Sequence, residues 1–305
     1  MPEAAFLACD WGTTNLRAWV VTGEGEVLRS QDFELGVSRL APGEAAKRFA
    51  DEVRPALGAQ DLPAVLCGMI GSDLGWRPAG YLGCPAALED LAGALVTVET
   101  GAASARIVPG LRCDGITATP DVMRGEETQV FGLLLEDEAL HRGRLVICHP
   151  GTHPKWIVVE EGRILRFVTA MTGELFGVLR KHSVLRGDQP VVDEAAFDAG
   201  VAAAGDGGAL AARLFSARSR VVAGGADAQG TGAYVSGLLI GAEIAGVPHL
   251  LGCDQATPIR LLGDEALCRW YARALSAAGY WSQWHDGEVA AVRGLAALFR
   301  AGDRS

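Results

Sequence analysis

Two stretches of the chain repeat one order of apolar and polar positions. The first, CDWGTTNLRAWVVTGEGEVLR from Cys9, contains three apolar segments, separated by a Gly-Thr turn and then by an acidic turn. The second, CHPGTHPKWIVVEEGRILR from Cys148, follows the same order and also ends in arginine. Short apolar runs bounded by turn residues are typical of strands. The pattern predicts two three-stranded meanders from a duplicated domain, with chance similarity of two hairpins as the alternative.

Helical periods alternate with further apolar runs in both halves of the chain. The predicted helices cover residues 44–57, 126–140, 173–182, 194–204, 208–217, 234–245, 265–278 and 288–300. The predicted strands cover residues 5–10, 17–22, 26–33, 63–69, 105–110 and 258–262, with the second meander starting at 145. The Gly- and Pro-rich segment 71–86 is expected to be irregular. This alternation indicates an α/β fold with a domain boundary near residues 120–145.

Composition narrows the class of protein. With 305 residues, 49% hydrophobic and 21% charged, the chain is expected to form two domains with a real core. A net charge of −10 argues against nucleic acid or an anionic membrane as partner. The seven cysteines include no C-x-x-C pair, which predicts buried free thiols in a reducing compartment. No signal peptide or bilayer-spanning run is visible, so we expect a soluble cytoplasmic protein.

The first Gly-Thr turn carries groups suited to a phosphate and its metal ion. Asp10, at a strand end, can hold Mg²⁺ directly or through water. Backbone N–H groups around Gly12 and the hydroxyls of Thr13 and Thr14 can contact phosphate oxygens. The alternative is an ordinary Asx-type turn.

Two further segments carry candidate chemistry. In VMRGEETQ, Arg124 precedes a helix that starts with Glu126 and Glu127, and such a carboxylate can act as base toward a sugar hydroxyl. The alternative is a pair of acids favoured by the helix dipole. The segment GMIGSDLGW offers backbone donors at Gly71, the Ser72 hydroxyl and the Trp76 ring, a mix that suits a carbohydrate. A structural loop with its tryptophan in the core is the alternative.

Weaker signals come from the second half. Thr172 in MTGELF is expected to be a simple helix N-cap. Gly263 stands at a strand-to-helix turn, where a flat ring or a phosphate can approach the backbone. His149 and His153 have zinc-site spacing, but Pro150 and Gly151 between them oppose the necessary helix. The P-loop, dinucleotide and nucleophile-elbow motifs are absent from the sequence.

Taken together, these residues resemble the sugar-kinase branch of the actin-like ATPase superfamily. In that fold two related, ribonuclease H-like domains hold ATP in a cleft between two phosphate hairpins. The resemblance implies a substrate-side domain at 1–130 and an adenosine-side domain at 131–305. It places Asp10 on the metal and Gly263 on the adenosine side. The residues implied on the ATP phosphates are Gly12, Thr13, Thr14, Gly151, Thr152 and His153.

The ordered motifs DWGTTNLRAW, GMIGSDLGW, MRGEETQ, PGTHPKW, MTGEL and SGLLIGAE are similar to those of the 2-dehydro-3-deoxygalactonokinase family. The similarity extends from Asp10 to about Glu243. It implies ATP- and Mg²⁺-dependent phosphorylation of the 6-hydroxyl of 2-dehydro-3-deoxy-D-galactonate, in D-galactonate catabolism. Glu126 is the expected base, with Glu127 as the alternative.

The implied substrate carries a carboxylate, which an arginine fork matches with two hydrogen bonds. Arg17, Arg124 and Arg77 are the candidates for that contact, while Gly71, Ser72 and Trp76 complete the expected substrate side. Three alternatives stay open: a kinase for another sugar, an enzyme that hydrolyses a phosphate chain, and a non-catalytic sugar sensor. A sensor usually carries a DNA-binding domain, and no basic helix-turn-helix precedes the first motif. A homodimer is compatible with the sequence.

Overall fold

The computed structural model describes residues 2–100, 103–116, 118–185 and 191–302. They group into two compact units. The first runs up to Arg144 and also includes Val159–Arg166 and the chain from Asp286 onward. The second comprises Leu145–Val158 and Phe167–His285. The break after Arg144 lies inside the expected interval 120–145, but the division differs from the predicted domains 1–130 and 131–305, because the last helix belongs to the first unit.

Fourteen strands are described. They are β1 Ala4–Trp11, β2 Leu16–Thr22, β3 Val27–Phe33, β4 Ala64–Cys67, β5 Tyr81–Gly83, β6 Val96–Glu99, β7 Ser104–Ile107, β8 Gly110–Asp114, β9 Pro120–Met123, β10 Arg144–His149, β11 Lys155–Glu160, β12 Arg163–Thr169, β13 Ile259–Gly263 and β14 Ser282–Asp286.

Eleven α-helices are described. They are α1 Ala45–Arg48, α2 Arg54–Ala56, α3 Leu88–Ala92, α4 Glu126–Leu134, α5 Thr172–His182, α6 Glu194–Ala204, α7 Leu210–Leu214, α8 Ser216–Val222, α9 Thr231–Leu250, α10 Glu265–Ala277 and α11 Gly287–Gly302. A π-helical turn, Phe49–Val53, joins α1 to α2.

The two large sheets share one strand order. In the first unit the order is β3-β2-β1-β4-β7-β6, and β1 pairs with β4 in parallel. The other large sheet has the order β12-β11-β10-β13-β14, and β10 pairs with β13 in parallel. Each meander is thus followed by a parallel strand on the same side. This shared order supports the duplication predicted from the sequence.

Strand β1 is buried on both faces, which explains its continuous apolar run. Leu7, Cys9 and Trp11 point into one core cluster with Phe49. Phe6 points the other way and stacks on Phe299 of α11, with 4.4 Å between ring centroids. The strand end that carries Asp10 is therefore anchored from both sides.

Helices α4 and α11 pack with their backbones in contact. A Cβ atom on Gly132 would lie 1.8 Å from the Ala290 carbonyl oxygen, and one on Gly294 would lie 2.1 Å from that of Thr128. Only glycine permits this approach. The contact fixes α4, whose N-terminus carries the two candidate acids, and it explains why α11 belongs to the first unit.

Several predicted elements differ from the observed ones. The helix predicted at 126–140 ends at Leu134, the one at 208–217 is split into α7 and α8, and the one at 234–245 extends over Thr231–Leu250. Strands β5, β6, β8, β9 and β14 were not predicted. They have three to five residues, too few to show a clear period of two. All seven cysteines are free thiols, as predicted, and four of them are buried.

Helix α9 is apolar over most of its length. Within the described ranges, the segment Ala228–Leu250 alone is long and apolar enough to cross a membrane. The protein itself buries 61% of its most apolar window. A core helix passes the same test of length and composition.

Candidate active site

The first Gly-Thr turn, residues 12–15, connects β1 to β2. Its carbonyl oxygens are held by the segment after β3: those of Gly12 and Thr13 accept from the N–H groups of Val37 and Ser38, at 3.1 and 3.0 Å. The side chains of Thr13 and Thr14 are exposed. The turn thus has a fixed backbone and leaves both hydroxyl-bearing side chains open to a ligand.

Asp10 lies at the end of β1, opposite Arg17 on β2. The Gln129 amide approaches its carboxylate at 3.5 Å. Burial raises the pKa of Asp10 to about 6; the charge of Arg17 opposes this and that of Glu126 adds to it. Through Gln129, the structure brings Asp10 to α4, the helix that also carries the predicted site residue Glu126.

These carboxylates fit a hard cation by their chemistry. Oxygen ligands are those that Mg²⁺ prefers, and it is commonly bound by one or two carboxylates together with substrate phosphates and water. No cluster of three or more potential His, Cys, Asp or Glu ligands occurs within the described residues. The site suits a cation shared with a phosphate rather than an all-protein cage.

The two acids at the start of α4 have different surroundings. Glu126 is partly buried and accepts a hydrogen bond from the Arg124 N–H at 3.0 Å. Glu127 is fully buried, and its oxygens accept from the Gly125 N–H at 2.9 and 2.7 Å. The Thr128 hydroxyl donates to it at 3.2 Å. Glu127 thus holds the helix start, and Glu126 is the more accessible acid.

Replacing Glu127 with glutamine is expected to flatten the pH dependence of stability. Burial, with the nearby charge of Glu126, raises the pKa of Glu127 from 4.5 to about 8. The folded chain therefore binds this proton more tightly than the unfolded chain. The resulting stability is complete below pH 4.5 and is lost as the pH rises through about 8. Glutamine keeps an acceptor oxygen but cannot ionise. Urea unfolding at several pH values from about 5 to 8.5 measures the free energy of unfolding of both proteins. The prediction is contradicted if that free energy changes equally with pH in the wild type and in Glu127→Gln.

Arg124 is held in a small aromatic and backbone cage. Its guanidinium lies 4.4 Å from the centroid of the Tyr81 ring, and Nη2 donates to the Gly80 carbonyl at 2.9 Å. The buried Nε and Nη1 atoms have no hydrogen-bond partner within the described chain. A Cβ atom on Gly71 would lie 2.9 Å from Nη1. Gly71 and Arg124, both predicted on the substrate side, are therefore in contact.

The remaining substrate-side candidates have other surroundings. The Ser72 hydroxyl donates to the Met69 carbonyl at 2.7 Å. Trp76 packs against Phe49 of the core, with 5.6 Å between ring centroids. Arg17 and Arg77 are exposed. Substrate binding by Ser72 and Trp76 stays a prediction, and the structure gives each a contact within the protein.

The second Gly-Thr turn, residues 150–154, lies against the N-terminus of α5. The Glu174 N–H donates to the Thr152 carbonyl at 2.9 Å, and His153 Nε2 lies 2.5 Å from a Glu174 carboxylate oxygen. A Cβ atom on Gly173 would lie only 2.3 Å from the Gly151 carbonyl oxygen. The turn is therefore locked to the start of a helix, a position that favours anions.

Thr172 is not the N-cap that the sequence predicted. Met171 occupies that position, and the Thr172 hydroxyl donates to Glu243 instead. Glu243 is buried on α9 and also accepts from Trp156 Nε1 at 2.6 Å and from the Tyr271 hydroxyl at 3.0 Å. Burial raises the pKa of Glu243, and the three hydrogen bonds oppose that rise. A lone acid inside the apolar run LLIGAEIAG was the signal available in the sequence.

A pocket of about 310 Å³ opens beside the second Gly-Thr turn. Its walls come from α5, α9 and α10, and they are mainly apolar. The lining residues are Gly151, Thr172, Gly173, Phe176, Val191, Ser236, Leu239, Ile240, Asp264, Ala266, Leu267, Trp270 and Tyr271. Gly263 ends β13, as predicted, directly before the lining residue Asp264, and its φ is +144°. An apolar pocket next to a turn locked to a helix N-terminus has the shape and chemistry for a nucleoside.

The fold defines the class of protein. The activator of 2-hydroxyisocaproyl-CoA dehydratase from Clostridium difficile, determined with bound ADPNP, is similar in fold, with a TM-score of 0.51 and 11% identity over 98% of this chain and 96% of that one. This similarity and the two related sheets define the fold, an α/β fold with two sheets of the same strand order.

Comparison with known proteins identifies the family. A model of the 2-keto-3-deoxy-galactonokinase family matches residues 10–298. A 2-dehydro-3-deoxygalactonokinase of Escherichia coli K12 is 36% identical over 99% of this chain and 97% of its own length. A probable 2-dehydro-3-deoxygalactonokinase of Rhizobium meliloti is 35% identical over 97% of each chain. The chain belongs to this family and is a sugar-acid kinase.

A solved structure supports the same grouping. The crystal structure of a 2-dehydro-3-deoxygalactonokinase protein from Sinorhizobium meliloti has a TM-score of 0.85 and 35% identity. It matches 97% of this chain and 98% of its own. The similarity therefore covers both units.

Proposed function

We propose that the enzyme transfers the γ-phosphate of ATP to the 6-hydroxyl of 2-dehydro-3-deoxy-D-galactonate, as a cytoplasmic step of D-galactonate catabolism. The family match over residues 10–298 carries the activity. The structural observation that supports it most directly is the contact of α4 with Asp10 beside the first Gly-Thr turn, where the Gln129 amide lies 3.5 Å from the Asp10 carboxylate. The free thiols are in keeping with a reducing compartment.

Glu126 is the proposed base. It would take the proton of the 6-hydroxyl as the oxygen attacks the phosphorus atom. Glu126 is more accessible than Glu127, whose carboxylate is occupied by the Gly125 N–H. Phosphoryl transfer depends mainly on positioning and on neutralising charge, so the base orients the acceptor as well as deprotonating it.

Asp10 would hold Mg²⁺, with Gln129 against its carboxylate. When bound, the ion supplies positive charge to the phosphate oxygens and orients them. The exposed side chains of Thr13 and Thr14 and the backbone at Gly12 would contact those oxygens. These roles follow from the donor chemistry of the turn and from its fixed backbone.

The second unit supplies the proposed nucleotide site. Gly151, Thr152 and His153 would contact the phosphates, and the apolar pocket would hold the nucleoside. Gly263 stands at the strand end beside Asp264, which caps α10 by accepting from the Leu267 N–H at 3.0 Å. The backbone at this turn is open enough for a flat ring to come close.

The test is an ADP-release assay with Mg-ATP and three acceptors. They are 2-dehydro-3-deoxy-D-galactonate, its gluconate epimer and neutral galactose. Turnover on the galactonate compound alone supports the proposal in full. Equal turnover on both epimers widens the substrate, and turnover on galactose alone refutes a sugar-acid acceptor.

Arg124→Ala is expected to raise KM for the sugar acid by at least about 10-fold, because charge-assisted hydrogen bonds to a carboxylate are lost. KM for ATP should change little. Steady-state kinetics with each substrate varied in turn measures both constants.

Arg77→Ala and Arg17→Ala are the companions in this experiment. Both side chains are exposed and remain competing candidates. If either variant selectively raises KM for the sugar acid and Arg124→Ala does not, the carboxylate contact belongs to that residue instead. An equal loss for both substrates in Arg124→Ala would assign Arg124 a structural role.

A further inference from the structure

One face of α9 forms a wall of the apolar pocket. Ser236, Leu239 and Ile240 line it, and their spacing of three and four residues places them on one side of the helix. Glu243 follows at the next position on this face. The helix therefore presents a hydroxyl, two aliphatic side chains and a buried carboxylate in sequence.

Glu243 accepts hydrogen bonds from two hydroxyls that line the pocket, so they are less available to a ligand. The hydroxyls of Thr172 and Tyr271, both lining residues, donate to this carboxylate. Each therefore offers the pocket mainly its carbon surface. The side chain of Asp264, at the rim, is engaged through one oxygen by the Leu267 N–H.

Ser236 is different from these residues. It is 9% exposed and lines the pocket, and no hydrogen bond from its hydroxyl to another described residue is seen. The hydroxyl can therefore form a neutral hydrogen bond with a bound ligand, which is worth on the order of 1 kcal/mol.

We propose that the Ser236 hydroxyl recognises the nucleoside of the phosphoryl donor in a pocket whose walls are mainly apolar. The inference rests on the proposed nucleotide site. The partner is a neutral polar atom of the nucleoside, either on the base edge or on a ribose hydroxyl. Phe176 and Trp270 would supply apolar and aromatic contact.

The proposal has a consequence for donor selectivity. A hydroxyl can both donate and accept, so it can satisfy either kind of atom on a purine edge. A contact of this kind discriminates only weakly among purine nucleotides. We expect ITP and GTP to support turnover with kcat/KM within about 10-fold of ATP, because one neutral hydrogen bond is worth about 1 kcal/mol.

The experiment uses Ser236→Ala in the full-length enzyme. KM for ATP should rise about 3- to 10-fold, with kcat and KM for the sugar acid unchanged, as expected for a lost neutral hydrogen bond. The thermal midpoint without nucleotide should stay the same or rise, because no hydrogen bond from the hydroxyl to another described residue is lost. A structural hydroxyl would instead lower that midpoint.

Nucleotide analogues locate the contact. The wild type and Ser236→Ala are compared with ATP, purine riboside triphosphate, 2′-deoxy-ATP and 3′-deoxy-ATP. The analogue that abolishes the effect of the mutation lacks the atom that Ser236 contacts. Ser216→Ala is the matched control, since that hydroxyl already donates to the Arg213 carbonyl at 2.6 Å.

Two results would overturn the inference. One is an unchanged KM for ATP in Ser236→Ala. The other is an equal rise in KM for ATP and for the sugar acid. Both are distinct from failure of the proposed function, in which the wild-type enzyme itself would release no ADP.

Discussion

Glu126→Gln lowers kcat by about 10²–10⁴-fold, the usual contribution of a general base. Glutamine preserves the size of the side chain and its acceptor oxygen for the Arg124 N–H, but it cannot take a proton. The fold and the affinity for ATP should therefore be retained. Single-turnover ADP release measures the chemical step, and nucleotide titration checks binding separately.

Glu127→Gln is the matched control for this result. The Glu127 carboxylate is buried against the Gly125 N–H and the Thr128 hydroxyl, and its loss should change stability more than chemistry. Near-normal turnover in Glu126→Gln, together with a large loss in Glu127→Gln, would reverse the two roles. Near-normal turnover in both variants would mean that transfer needs no carboxylate base from α4.

Gly173→Ala is expected to raise KM for ATP by about 5- to 100-fold, since forcing a methyl group into close-packed structure costs about 1–3 kcal/mol. The new Cβ would lie 2.3 Å from the Gly151 carbonyl and 2.8 Å from Thr152 Cα. The second Gly-Thr turn must then move from the start of α5. KM for the sugar acid should stay near its normal value, which steady-state kinetics with both substrates will show.

Gly177→Ala provides the same substitution one turn further along α5. Apart from the backbone of α5 itself, no described atom lies within 4 Å of a Cβ at that position, so alanine fits there without a clash. This variant should bind ATP normally and be slightly more stable, because alanine favours helix more than glycine does. Equal defects in the two variants would mean that α5 tolerates no alanine, and the contact with the turn would no longer explain the loss.

The sequence predicted the parts of this enzyme that depend on local pattern. Both meanders and both Gly-Thr turns lie where the apolar runs and turn residues placed them. Asp10 and Glu126 were each predicted as site residues, and the charge of Glu126 contributes to the raised pKa of Asp10. The conformation of each of these short segments is determined mainly by residues close to it in the sequence.

Other parts depend on contacts between distant segments. Nothing around Thr172 indicates that its hydroxyl donates to Glu243, 71 positions away. The environment of the Ser236 hydroxyl is likewise invisible in an apolar helix, because only the neighbouring helices decide which serines find acceptors. The glycines of α4 and α11 lower helix propensity when each helix is taken alone, and their value appears only when the two are packed together.

The placement of α11 has a consequence for the order of folding during synthesis. Chains emerge from the ribosome N-terminus first, at about 5–20 residues per second. The first unit cannot complete its core until α11 has emerged, because Phe6 stacks on Phe299 and α4 packs on α11. The whole of the second unit, Leu145–Val158 and Phe167–His285, is translated before that happens. While the second unit is being made, the apolar surface of the first unit that α11 will cover is therefore still open.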